Sequence, residues 1–367
     1  MEKVTSTKFG CHYQDRGEEH MNKPEYYVGI DVASANFTAA AGRMDQKWKI
    51  VVPAAEFPNE YDSFGQFLLW MQIHKLQPDN AIVCMEATGV YNEVFAHFLV
   101  ANHYTVAIEP PLKVKRAFAP AGHKTDPVDS CQISEYAYRY YDELSPWQPR
   151  NEVLEQIQTL LTTREQFSSQ RTAHYNALKA LKRKKVRTAL AEKAHQDAIL
   201  ELRQHIKILE KEIERLIDQD PDFRNMIKLL LSVPGVGLLL ASHMLVLIQS
   251  ASQPLDPKQL AAFIGICPYE HKSGSSINSK PTSRHYGPPA LRKLIFLAAL
   301  SVRTHRQQFR LYFLRKIAEG KPKKLVINNI ANKLLKIICA VVRSGTPFIP
   351  NYHSVNPGLL KKALTVS

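Results

Sequence analysis

Ile199, Leu202, Ile206, Leu209, Ile213 and Leu216 recur at intervals of 3, 4, 3, 4 and 3 residues. That spacing returns each side chain to one stripe of an α-helix and matches the a and d positions of a heptad pattern. A strand would throw neighbouring residues of such a run to opposite faces. The middle of the chain therefore has to be a long helix with something packed along its stripe. Leu154, Ile157 and Leu161, then Tyr175 and Leu178, keep a similar phase upstream, with polar interruptions at 164, 168 and 171. Two long helices joined near 185–195 account for both runs. An intramolecular hairpin and a contact between two copies would each cover the stripes, and the sequence does not choose between them. Near the joint, KALKRKKVR (179–187) sets Lys182, Arg183, Lys184 and Lys185 side by side. This is either a solvated helix face or a phosphate contact.

Before residue 151 the pattern is different. YYVGIDVA, NFTAAAGR and WKIVVPA read as strands separated by turns, followed by a helix over about 60–75. NAIVCMEAT is a further apolar strand, VYNEVFAHFLVANH a helix, YTVAIEP a strand, and helices follow from PLKVKRAFA and from VDSCQISEYAYRYY. Hairpin strands first, then alternating strands and helices, predict an α/β domain with a mixed sheet. The part after residue 226 predicts a mostly helical unit. Its SVPGVGLLLASHML segment (232–245) has the look of a helix–hairpin–helix turn, in which Gly235 and Gly237 would let backbone approach a phosphate. A tight helix–helix turn with no ligand fits the same residues. The expected class is α/β plus all-α: a polar extension over 1–22, a mixed-sheet domain over 23–147, coiled-coil helices over 148–225 and a helical domain over 226–367. The first 22 residues lack the apolar core of a signal peptide, and Met21 is a second possible start.

Charge is distributed unevenly. Residues 1–150 hold 14 Lys/Arg against 19 Asp/Glu, residues 151–230 hold 15 against 12, and residues 231–367 hold 19 against 3. The local balances of −5, +3 and +16 make up the net +14. A basic surface of that density suits a long acidic partner, and nucleic acid is the expected one. No run of eighteen uncharged apolar residues occurs, so no membrane span is expected. Cysteines at 11, 84, 131, 267 and 339 are odd in number and too widely spaced for a CxxC pair, which fits a reducing cytoplasm.

Four carboxylates stand out. Asp31 and Glu86 each end a strand that is otherwise apolar, a costly position unless the charge is paired, solvated or bound to metal. Asp126 and Asp129 are three apart and share one face of a helix. Together the four could hold two Mg2+ ions roughly 4 Å apart, the spacing of in-line phosphoryl transfer. Each also has a plainer reading. Asp126 followed by Pro127 is an ordinary helix start, with Asp126 as N-cap, Pro127 at the first helical position and Asp129 at the third. Asp31 could belong to the first phosphate loop of an actin-like or sugar-kinase fold, but no second glycine-rich loop follows. Downstream, HKSGSSINSKPTSR (271–284) reads as a polar loop placing Ser273, Ser275, Ser276, Ser279 and Ser283 among Lys272, Lys280 and Arg284. A serine there could attack a phosphodiester if the cations stabilise the developing charge. Passive phosphate binding is the other reading. Arg292 and Lys293 open the next helix. No Ser/His/Asp spacing supports a hydrolase triad.

Taken in order, YVGIDVASANFTAAA, MEATGVYNEVFAHFL, HKTDPVDSCQISEYA, LLLSVPGVGLLLA, AAFIGICPYEHKSG, GPPALRKLIFLAAL and KLLKIICAVVRSGTPF cover residues 26 to about 348. This set resembles the insertion-sequence one-ten family of DEDD transposases, which includes the Piv-type site-specific invertases. The chain departs from the family pattern at Ser130, where Ala is usual, and at SRHYGPPALR, where the family often has Lys-Arg-Gly-Asn. The resemblance implies a RuvC-like, RNase H-type domain whose D-E-D-D set is Asp31, Glu86, Asp126 and Asp129. It implies a C-terminal transposase domain whose nucleophilic serine precedes a glycine, here Ser273 before Gly274. It further implies a covalent serine–DNA phosphate, Mg2+ on the carboxylates, and dimers pairing into tetramers through the coiled coil. In some members a structured RNA from their own element pairs with donor and target DNA. A RuvC-like junction nuclease in which water attacks, and a catalytically inactive nucleic-acid-binding protein, are the alternatives from other classes.

Overall fold

The computed structural model describes residues 23–118, 126–149, 151–250, 256–273, 277–283 and 287–350, with the backbone alone at 126, 268–273 and 277–283. These fall into two compact units that divide at Pro149/Arg150. The extension over 1–22 lies outside the described residues.

The first unit opens with a meander of three strands, β1 (Tyr26–Val32), β2 (Asn36–Met44) and β3 (Trp48–Pro58). After helix α1 (Phe64–Ile73), which a 3-10 turn at Tyr61–Ser63 leads into, comes β4 (Ala81–Glu86). Helix α2 (Glu93–Ala101), β5 (Thr105–Glu109), α3 (Pro111–Arg116) and α4 (Asp126–Arg139) complete it. The sheet order is β3-β2-β1-β4-β5, with β4 and β5 parallel to β1 and the meander antiparallel. This is the expected mixed sheet. The antiparallel members need only short turns, whereas each parallel partner requires a helical crossover. One face carries an aromatic cluster in which Phe37 lies 4.2 Å from Phe95 between centroids, with Phe64 and Phe67 around them. Tyr27, Ile82, Cys84 and Ala107 on the other face pack under Ile133, Tyr136 and Ala137 of α4.

The second unit begins with α5 (Glu152–Leu181) and α6 (Ala189–Gln219), which fold back on each other as an intramolecular hairpin. The seven residues Lys182–Thr188 join them, so the stripes read from the heptads meet within one chain. Arg164, one of the polar residues that interrupt the upstream stripe, is used across the hairpin, donating to Glu210 at 2.9 Å. His174 and His195 share a 2.8 Å Nδ1···Nδ1 hydrogen bond further along. Then come α7 (Pro221–Ser232), α8 (Leu238–Gln249) and α9 (Pro257–Ile264). A β-hairpin of β6 (Pro268–Ser273) and β7 (Ile277–Ser283) follows, then α10 (Pro289–His305), α11 (Gln307–Ala318) and α12 (Lys323–Ser344).

Two sequence expectations change here. The segment read as a polar loop over 271–284 is a two-stranded ladder, paired from Pro268↔Ser283 to Ser273↔Ile277. Ladder bonds come from the main chain, so a strand with polar side chains on both faces leaves no alternation to detect. The helical hairpin and the C-terminal helices, read as separate stretches, share one core. Leu154, Ile157 and Leu161 of α5 and Ile213, Leu216 and Ile217 of α6 are buried with residues of α7, α8, α9, α10 and α12. Among the described residues, α12 alone has the length and mean hydropathy (1.7) of a bilayer-spanning helix. Half of that stretch is buried in this core, with Ile330, Leu334 and Ile338 fully enclosed.

Candidate active site

Asp31 and Glu86 owe their places to sheet register. Parallel pairing sets Ile30 opposite Met85, so the next pair along is Asp31 beside Glu86. The neighbouring parallel pair sets Glu86 opposite Glu109. Adjacent strands lie about 4.8 Å apart, so three carboxylate-bearing residues form one row across the C-terminal ends of β1, β4 and β5. Side chains alternate along a strand, and Tyr27, Cys84 and Ala107 all face α4. Asp31, Glu86 and Glu109 are each an even number of residues further on and share that face. Asp31 and Glu86 are half-buried and Glu109 is buried. The end of β4 is pinned by Asn92, which is buried and donates Nδ2 to the Glu86 carbonyl at 3.1 Å.

Helix α4 crosses this face in direct backbone contact. Ser134 donates its hydroxyl to the Tyr27 carbonyl at 2.6 Å. A Cβ placed on Gly29 would lie 2.2 Å from the Ser130 carbonyl oxygen and 2.1 Å from the Ser134 nitrogen. Only a glycine admits the helix at this depth. Ser134 thus sits over Tyr27 and Ser130 over Gly29. Four helical residues advance about 6 Å and two strand residues about 6.6 Å. The same descent carries the first turn of α4, with Asp126 and Asp129, to the level of Asp31 and Glu86. Ser130, where the resembled family has Ala, is fully buried and donates to the Pro127 carbonyl at 3.0 Å. Its hydroxyl is thereby satisfied inside the helix.

The capping register expected at Asp126 falls on the boundary of the described residues. At Asp220–Pro221 and Asp256–Pro257 the helix starts on the proline, and the aspartate accepts from the two amides beyond it. The described part of α4 begins at Asp126. Pro127 and the half-buried Asp129 lie in its first described turn. Residues 121–125 lie outside the described set. An all-oxygen donor set at this row suits a hard divalent cation such as Mg2+.

Glu109 is the member that the sequence reading passed over, although YTVAIEP carries the same signal as the other two strands: an acid closing an apolar run. Lys113 Nζ lies 3.1 Å from its Oε2, and the Tyr136 hydroxyl donates to the same oxygen at 3.3 Å. Burial pushes the Tyr136 phenol up to about 12, so it remains a donor. Burial, reinforced by the charges of Glu109 and Glu86, also raises the Cys84 thiol and keeps it inert.

Ser273 belongs to the second unit and forms the last ladder pair of the β6–β7 hairpin, opposite Ile277. Lys272 pairs with Asn278, and Lys280 lies on β7. Gly274 and Arg284 fall outside the described residues. Lys182, Arg183, Lys184 and Lys185 are exposed at the tip of the helical hairpin. The two glycines of the 232–245 turn part company. Gly235 has φ +81° and is pressed on α10, where a Cβ would meet Val302 at 2.6 Å. Gly237 opens α8 with free space around it. Arg292 donates to the Gly287 carbonyl at 2.8 Å, which ties down the segment entering α10.

Comparison with known proteins bears on both units. Residues 28–183 match a transposase family of the IS110 DEDD type, and residues 227–314 match the family described as transposase IS116/IS110/IS902. The pilin gene-inverting protein of Moraxella bovis is 30% identical over 89% of this chain and 98% of its own length. The protein of the same name from Moraxella lacunata matches to the same extent. An uncharacterized 43.6 kDa protein of insertion element IS110 from Streptomyces coelicolor is 28% identical over 38% of this chain and 33% of its own.

Proposed function

The chain belongs to the IS110 family of transposases, and from that premise we propose that it breaks and rejoins DNA through Ser273, assisted by a metal site on Asp31, Glu86, Asp126 and Asp129. It is a DNA recombinase of the transposase class. The four carboxylates would hold Mg2+, which would supply Lewis-acid stabilisation of charge on a phosphodiester oxygen. Ser273 Oγ attacks phosphorus. The Oγ–P bond forms as a bond from phosphorus to a deoxyribose oxygen breaks; the serine loses its proton and the departing sugar oxygen gains one. Attack by the hydroxyl of a second strand on the seryl phosphate reverses the exchange and releases the serine. One phosphodiester is traded for another, so no external energy source is required. Lys272, Lys280 and Arg284 stabilise charge on the phosphate, while Lys182 to Lys185, Gly235, Gly237, Gly274 and Arg292 contribute to holding nucleic acid. The partners are donor and target DNA with a structured RNA from the element as guide, acted on by dimers that pair into a tetramer.

The observation that supports this reading most is the register bringing Asp31 beside Glu86 under the first turn of α4. A nicked duplex carrying an element end, incubated with protein and Mg2+ and run under denaturing conditions, tests it. Wild-type protein is expected to yield a covalent protein–DNA adduct. Ser273→Ala should bind the duplex equally well and yield none, and Asp126→Asn should bind without reacting. Cleavage by Ser273→Ala would assign the attack to water, the chemistry of a junction nuclease. RNA recovered from the purified protein, with loss of recombination when it is stripped, tests the guide.

A further inference from the structure

Only three acids, Asp256, Glu270 and Glu319, lie between residue 231 and the C-terminus. The cations of this region do not surround the serine hairpin alone. Helices α11 and α12 enclose a groove of about 740 Å3 that none of the assignments above uses. That volume is within the range of roughly 300–1,000 Å3 typical of ligand sites. Phe309, Tyr312 and Ile337 line it, half-buried against the core behind. Arg315, Lys333 and Lys336 stand exposed at its edges. The Tyr312 ring is the organising element. Lys333 Nζ lies 4.7 Å from its centroid and the Arg315 guanidinium carbon 5.7 Å from it. Neither Lys333 nor Lys336 has a carboxylate partner among the described residues. Arg315 has only a loose one, Glu319 at 3.9 Å on an exposed turn.

An aromatic floor with three weakly neutralised cations on one rim is the combination that takes unpaired nucleotides. Base faces stack on the ring or guanidinium plane, and the cations follow the phosphates. A duplex offers phosphates but no free base faces to such a groove. We propose that the α11–α12 groove binds an unpaired nucleic-acid strand. The proposal rests on the chain being a nucleic-acid enzyme, but not on Ser273 or on the metal site.

Fluorescence anisotropy of the full chain in EDTA tests it, using a labelled oligothymidine of roughly 16 nucleotides and a duplex of equal length, each titrated at several salt concentrations. Removing metal separates this outcome from any failure of the strand-exchange chemistry. Lys333→Ala/Lys336→Ala is expected to lower the slope of log affinity against log salt by about 1.4 for the single strand, two contacts at about 0.7 each. Tyr312→Leu is expected to weaken strand binding about tenfold with little change for duplex, and Tyr312→Phe to retain it. Wild-type strand affinity and slope in the lysine double variant overturn the proposal, as does an equal loss for strand and duplex in Tyr312→Leu. Both lysines are exposed, so the double variant carries the test even where Tyr312→Leu fails to fold.

Discussion

Gly29 decides how closely α4 can approach the sheet, and the placement of Asp126 and Asp129 over the acid row depends on that approach. Gly29→Ala forces a methyl group onto the Ser130 and Ser134 backbone. It should cost about 1–3 kcal/mol or more in urea unfolding and abolish recombination, although the residue carries no functional group. His243 gives a second residue-scale test. Burial on α8, opposed by Glu165 and reinforced by Arg164, lowers its pKa from 6.5 to about 4. Between those values the unfolded chain binds a proton that the folded chain does not. Stability from this group is therefore full above pH 6.5 and is lost as pH falls toward 4, by up to about 3 kcal/mol. Urea midpoints followed across that window should fall in the wild type and flatten in His243→Leu. Asp31 and Glu86 were legible in the sequence because an acid ending an apolar strand is conspicuous. Their adjacency was expected on the assumption that the two strands are neighbours, and the parallel pairing of β4 with β1 supplies that neighbourhood. Glu109 carried the same signal and was missed for want of that strand order. Gly29 was invisible because its neighbour is a helix about 100 residues away.

Among elements, the helical hairpin was the most legible, because a heptad stripe is a long repeated signal and six of its positions lie in α6. What the stripe could not reveal was its partner. The short link Lys182–Thr188 and the Arg164–Glu210 pair settle that within one chain. The tip is the exposed part of this element, and its four cations can be removed without disturbing packing. Replacing Lys182, Arg183, Lys184 and Lys185 by Ala should leave the melting temperature unchanged. If all four touch phosphate, the salt slope of duplex binding should drop by about 3.6, at about 0.9 per contact. An unchanged slope would return the patch to the status of a solvated face. The β6–β7 hairpin lay at the opposite extreme, with strands whose polar residues left nothing periodic to read.

At the scale of the whole chain, two separate cores predict two unfolding events. Phe95→Ala in the first core and Ile330→Ala in the second each remove a fully buried side chain, at about 2–5 kcal/mol. In calorimetry each should lower a different transition. The charge asymmetry was plain from the sequence, while the merging of the helical hairpin with the C-terminal helices was not. Merging happens through side chains at the hairpin base only, and it ends near Glu165, which Lys293 of α10 grips at 2.8 Å. From there to the end of α5 runs a further stretch of about 24 Å that, among the described residues, packs mainly on α6. The protein thereby carries a measuring rod fixed at one end. Cutting seven residues from each arm would draw the basic tip about 10 Å inward and leave every core residue untouched. Chain length alone then sets the span between the basic tip and the core.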